Sequence, residues 1–328
     1  MVSRRSLLHR STALASLASL VSPDAKAQGD YPSRTVRVVV PFAPGGVVDV
    51  VARIVTEQMQ AVLGRPVLVE NQGGAGGTIG AATVARGAAD GYTLLLNSTG
   101  HAVTRVLYPS FAFDPVRDFA PIGLIGRQPF VLAVHPSVPA ETVGALLAWL
   151  RLKRGDANFG TTGIGAGSHL SGELLKARAG VDFTVVPYRG TPAAVTDLIA
   201  GRVDMMIDSQ TLLAPLMRDG QVRGLAVTSR ERSTMLPDLV TLQEAGVEGY
   251  DAASWQALYA PAGTPPPILA RIAEALSQVM ASPTTRARFA EVGVEPFPDN
   301  SPVTAAAYLG TEITKWEAVL RNSTVPAP

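Results

Sequence analysis

The sequence predicts an α/β protein of two similar lobes, each a mixed, mostly parallel sheet flanked by helices. Three observations carry this. At 328 residues the chain exceeds what one hydrophobic core usually covers. From Tyr31 onward, short Val/Leu-rich runs alternate with helical patterns, the signature of βαβ units. Three successive strand-to-loop transitions, at "PFAPGG", "NQGGAGG" and "NSTG", also end in small or polar residues, as expected along one edge of one sheet.

The pattern predicts a strand over 36–41, then a helix in which Val48, Val51, Ile54, Val55, Met59 and Val62 recur at helical spacing until Gly64 stops it. A strand over 67–70 meets Gly73-Gly74-Ala75-Gly76-Gly77, which opens another helix, and a third strand covers 92–96. A second set begins with a strand over 130–134 and a helix over 140–151. Residues 158–161 then lead through a glycine-rich turn into a helix from Ser168. Strands over 183–187, 205–208 and 224–228 follow, with a helix over 194–200 capped by Gly201. A strand over 257–260 runs into "GTPPP", and helices near 268–281 and 301–321 close the chain. Crossings near 128 and 252 divide it into one lobe of 28–128 plus 252–328 and a second of 129–251. Ligands of open parallel sheets sit outside the carboxyl ends of the strands, so the two lobes should face each other across a ligand cleft.

Hydrophobic residues make up 47% of the chain and charged ones 17%, the profile of a folded globular protein rather than a disordered one. A net charge of +1, without basic clusters interleaved with aromatics, excludes a phosphate-backbone binder. The N-terminus reads as an export signal over 1–27: the twin arginines Arg4-Arg5, an uncharged run over 11–21, and Ala25-Lys26-Ala27 before the cut. Its apolar run is roughly half the ~20 residues a bilayer requires. Cleavage would leave a mature charge of about −2 and a periplasmic product. With no cysteine there is neither a disulfide framework nor a thiolate nucleophile.

The corner "PFAPGG" between strand and helix makes a place where backbone N–H groups point outward. The Gly73–Gly77 run lacks the Lys-Ser/Thr of a nucleotide loop and reads as a tight turn. In "GTTGIGAGSH", Thr162 and Ser168 offer hydroxyls, and Ser168 serves as a helix cap, with or without a ligand contact. His169 and Glu173 lie one helical turn apart, but no third ligand completes a metal site. Asp49 in a helix's first turn and Asp208 at a strand end each read as a structural carboxylate or a ligand contact. Arg189, in a turn, is either a solvated charge or a carboxylate clamp. No nucleophile–base pair has recognisable spacing, so the residues predict no enzyme, no cofactor and no metal.

Taken in order, "YPSRTVRVVVPFAPGGVVDVVAR", "GRPVLVENQGGAGGTIGA", "ADGYTLLL", "DPVRDFAPIGLI", "VPYRGTPAAVTDLIAGRVDMMID", "GLAVTSRERSTMLPDLVTLQEAG" and "SWQALYAPAGTP" resemble the Bug-type periplasmic receptors of tripartite tricarboxylate transporters over nearly the whole mature chain. The resemblance implies a periplasmic binding protein of the Venus-flytrap, type II topology that closes on a small carboxylate. It implies a ligand grip by Phe42, Pro44, Gly45, Gly46 and Asp49 from one lobe and by Thr162, Gly163, Ser168, His169 and Asp208 from the other, mainly through backbone N–H groups. A monomer that hands its solute to membrane permease subunits is the implied partner arrangement, with docking on a sensor kinase as the alternative. Val47-Val48 and Ile164, Ala166 and Gly167 replace residues that are often hydroxylic in the family. These replacements predict a less polar ligand, an aromatic or short aliphatic carboxylate rather than citrate.

Overall fold

The computed structural model describes residues 31–109 and 113–321; the export signal read over 1–27 lies outside the described residues. Strand β1 (Val36–Val40) is four-fifths Val, and its burial on both faces explains its β-branched run. Helix α1 (Val47–Leu63) starts at Gly46 and stops at Gly64, which adopts φ 67° and donates its N–H to the Gln60 carbonyl. β2 (Val67–Asn71), α2 (Thr78–Ala85), β3 (Thr93–Asn97) and α3 (Gly100–Leu107) complete the first set. β1 pairs in parallel with both β2 and β3.

Next comes β4, a 16-residue strand from Phe119–Val134 that serves two sheets. Up to Pro129 it pairs antiparallel with β9 (Ala253–Pro261); from Phe130 it pairs antiparallel with β7 (Met205–Ser209), and from Val131 with β8 (Arg223–Val227). The change of partner falls at a proline, which has no N–H to give to a ladder. The sequence pattern shows a strand only over 130–134 because Pro121, Gly123, Gly126 and Pro129 interrupt the preceding stretch. Register shifts between Pro121 and Gly123 and between Leu124 and Gly126 accommodate these residues.

Between β4 and β7 the chain forms α4 (Val143–Lys153), β5 (Gly155–Thr161), α5 (Gly167–Ala179), β6 (Phe183–Pro187) and α6 (Thr191–Ile199), with β5 parallel to β6 and β7. Helix α7 (Gln210–Arg218) precedes β8, and α8 (Pro266–Ala281), α9 (Pro283–Glu291), β10 (Glu295–Pro296) and α10 (Pro302–Leu320) follow β9. The strands run β2-β1-β3-β9-β4-β7-β5-β6 in one curled sheet, with β8 and β10 also paired to β4. Parallel pairs occupy its two ends, and the antiparallel β4 and β9 carry the chain between them. Buried Trp255 and Trp316 both donate their indole N–H to the Glu312 carboxylate, at 2.9 and 2.8 Å, which docks α10 on β9.

Candidate functional site

A cavity of about 580 Å³ opens where two pairs of parallel strands, β1 with β2 and β5 with β6, end, a size typical of small-molecule sites. Pro41, Phe42, Ala43 and Pro44 come from the β1–α1 corner; Asn71, Gly73–Gly77 and Ile79 from the β2–α2 loop; Thr162 and Gly163 from β5–α5; Tyr188, Arg189 and Gly190 from β6–α6. Helices α1, α2, α5 and α6 start beside it at Gly46, Gly77, Ala166 and Gly190, none with a side-chain cap. Elsewhere α4 and α10 are capped by the Thr142 and Ser301 hydroxyls, while α3, α7, α8 and α9, like the four helices at the cavity, carry no side-chain cap. Apart from Thr78, whose N–H donates to the Ala75 carbonyl, and Pro192, which has no N–H, the first-turn N–H groups of the four cavity helices have no side-chain partner, and the helix dipoles favour an anion.

The two walls touch. A Cβ placed on Gly190 would lie 3.0 Å from the Ala43 Cβ. One on Gly76, which has φ +62°, would overlap the Ile164 carbonyl oxygen and come within 3.1 Å of the Tyr108 hydroxyl. Tyr108 donates to that same carbonyl at 2.8 Å. The Gly73–Gly77 run, read from sequence as a tight turn, is therefore both a turn and a wall of the cavity. Glycine is required at Gly76 by the space as well as by its left-handed backbone.

Of the ten residues expected to bind ligand, Phe42, Pro44, Thr162 and Gly163 line the cavity. The other six do not line it. Asp49 is 3% exposed and accepts the Gly45 N–H at 3.0 Å, the Asn71 amide at 2.9 Å and two bonds from Arg53 at 3.0 and 2.9 Å. Burial pushes its pKa up, but the Arg53, Gly45 and Asn71 hydrogen bonds outweigh this and hold the carboxyl below its usual range. Asn71 also donates to the Phe42 carbonyl, so one network ties the Gly45–Gly46 corner to β2. Asp49 thereby shapes the corner from behind.

Ser168 is not the cap of α5, which is Ala166. Its hydroxyl lies instead 2.8 and 2.9 Å from those of Thr161 and Thr162 and accepts the Thr162 N–H at 3.0 Å, which fixes that loop. His169 is buried and accepts the Gly165 N–H on Nδ1 at 3.2 Å. Desolvation, with Lys176 nearby, lowers its pKa to about 4 and keeps it neutral. Its helix neighbour Glu173 pairs with Lys176 at 3.6 Å. Asp208 takes the Ser209 N–H on one oxygen, and burial raises its pKa to about 6. Thr191, at the start of α6, offsets part of that rise, while the second carboxylate oxygen has no hydrogen bond among the described residues.

Sequence reasoning did not single out Asn71, Ile79 or Tyr188. Asn71 ends β2 and Tyr188 directly follows β6, so the rule of strand carboxyl ends would have found them. Val47, Val48, Ile164, Ala166 and Gly167 line no part of the cavity, so the apolar surface comes instead from Phe42, Ile79 and Tyr188.

Residues 51–325 match the family described as the tripartite tricarboxylate transporter family receptor. The chain belongs to this receptor family. Among solved structures, the receptor is similar to the periplasmic binding protein BugD, with 36% identity, TM-score 0.84, and 89% of this chain and 98% of that one covered. It is equally similar to an R. palustris protein solved with adipate, at 36% identity and TM-score 0.84, over 89% and 98% of the two chains. MatC of Rhodopseudomonas palustris, solved with bound malate, shares 36% identity at TM-score 0.83, over 88% of this chain and 100% of that one. The receptor thus has the mixed α/β fold of periplasmic binding proteins of this family, a curled sheet flanked by helices, and the Bug-type affiliation that its sequence segments imply.

Proposed function

We propose that this receptor binds a small carboxylate in the 580 Å³ cavity, in the periplasm, and delivers it to the permease subunits of a tripartite tricarboxylate transporter. The observation that carries this reading is the meeting of four helix starts without side-chain caps around a cavity whose wall has a single formal charge, Arg189, among the described residues. Such a site attracts an anion through main-chain donors. Phe42, Pro44, Thr162 and Gly163 face the ligand, while Asp49, Ser168, His169 and Asp208 support the loops that grip it, as does the Gly45–Gly46 corner. Similar proteins solved with adipate and malate support the carboxylate class. The mature chain acts as a monomer without catalysis. Its lobes comprise 28–128 with 252–328, and 129–251, and they open by bending at the crossings near Pro129 and 252.

A thermal-shift screen of residues 28–328 against mono-, di- and tricarboxylates, amino acids and sugars tests this. A ligand at about 100 times its Kd adds roughly 2.7 kcal/mol, a rise of several degrees in Tm for a chain of this size. Carboxylates should shift the Tm. A shift by neutral solutes alone would refute the anion site.

A further inference from the structure

Arg189 is the one charged residue lining the cavity among the described residues, and it is exposed. The nearby Arg202 is already committed, pairing with Asp197 at 2.6 Å. Arg189 makes no ion pair or side-chain hydrogen bond within the described residues. Its backbone is nonetheless held on both sides. The Tyr188 N–H donates to the Thr161 carbonyl at 2.8 Å, the Tyr188 hydroxyl donates to Asp197 at 2.7 Å, and Gly190 abuts Ala43 of the opposite wall. A fixed turn thus presents a free guanidinium at the cavity wall. The Gly76 and Thr162 loops, with their main-chain donors, form a separate part of the same wall.

A single carboxylate seated on those donors leaves the guanidinium without a partner, whereas a second carboxylate at the far end of the ligand would meet its two-pronged donor face. We propose that Arg189 pairs with a second anionic group of the ligand, so that the cavity selects two-ended acids over monocarboxylates of equal length. This rests on the carboxylate-receptor reading above.

Titration calorimetry of the wild type, Arg189→Gln and Arg189→Lys with matched pairs (succinate and butyrate, glutarate and valerate, adipate and hexanoate) tests it. For a partly exposed pair, the wild type should bind the best diacid about 5-fold or more tighter than its monoacid partner. In Arg189→Gln that ratio should fall to within about 2-fold because the diacid loses more affinity than the monoacid, and Arg189→Lys should retain part of the preference. Raising the ionic strength should erode the preference in the wild type and leave Arg189→Gln unaffected. A ratio unchanged in Arg189→Gln, or a wild type that prefers monoacids, overturns this inference while leaving the receptor reading intact. A wild type that binds no carboxylate overturns both.

Discussion

Replacing Gly76 with alanine separates the cost of its backbone from the cost of closing the cavity. Gly76 has φ +62°, where an alanine is disfavoured by roughly 1–2 kcal/mol whether or not ligand is bound. Its added methyl would also overlap the Ile164 carbonyl of the facing β5–α5 loop and crowd the Tyr108 hydroxyl. That overlap exists only while the walls meet, so it penalises the closed arrangement by about 1.4–3 kcal/mol and weakens ligand binding about 10- to 100-fold. Gly64, with φ +67° and no atom within 4 Å of an added Cβ, supplies the control. Gly64→Ala should lose a similar amount of folding stability and bind as the wild type does. Calorimetric Kd values and chemical denaturation of both variants provide the readout, and small-angle scattering of Gly76→Ala with ligand should show a receptor more open than the wild type. Equal Kd values for the two variants would refute the closure argument, since the Gly76–Ile164 approach would then be no part of the bound state.

Removing the Asp49 carboxylate should loosen the β1–α1 corner, because the Gly45 N–H and the Asn71 amide lose their acceptor while the half-exposed Arg53 simply returns to water. Asp49→Ala is expected to cost about 1–3 kcal/mol of stability and to weaken carboxylate binding about 10-fold, read by Tm and calorimetry; binding equal to wild type would show that the corner keeps its shape unaided. Acid should destabilise the fold. His101 and His169, held near 4 by burial against a usual 6.5, remain neutral in the fold and take up protons only on unfolding, so each removes stability as the pH falls from 6.5 to 4. Asp208, raised to about 6, acts in the opposite sense because the folded state holds its proton more tightly as the pH falls from 6 towards 3.8. Two groups against one give a net loss on the order of 2 kcal/mol between pH 7 and pH 5 in urea titrations, and Asp208→Asn should steepen it. A stability that is flat or rises over that interval would contradict these assignments.

Much of this fold is legible in the sequence wherever one element has one environment. β1 and α1 follow their β-branched run and their 3.6-residue period to within a residue, because Gly46 and Gly64 mark both ends of the helix. Legibility fails where a single strand serves two sheets. The 119–129 part of β4 carries two prolines and two glycines, and it is held by antiparallel pairing to β9, a strand more than a hundred residues away in the chain. Short α9 lacks a strong period because its buried side is only Thr285 and Phe289. At the site, the glycine corners could be found but their division of labour could not. Whether Asp49 faces a ligand or holds Gly45 depends on Asn71, which approaches from another strand. Arg189 was equally ambiguous as a turn residue, and what distinguishes it is that Asp197 is taken by Tyr188 and Arg202.

The glycine-built walls also bear on how such a receptor can change over generations. A grip whose donors belong to the peptide backbone survives most point substitutions, because replacing a neighbouring side chain leaves every N–H in place. The side-chain part of the lining, which includes Phe42, Ile79, Tyr188 and Arg189, can change without removing a main-chain donor. A lineage can therefore exchange one nutrient acid for another by altering a handful of side chains, without passing through an ancestor that has lost its hold on anions.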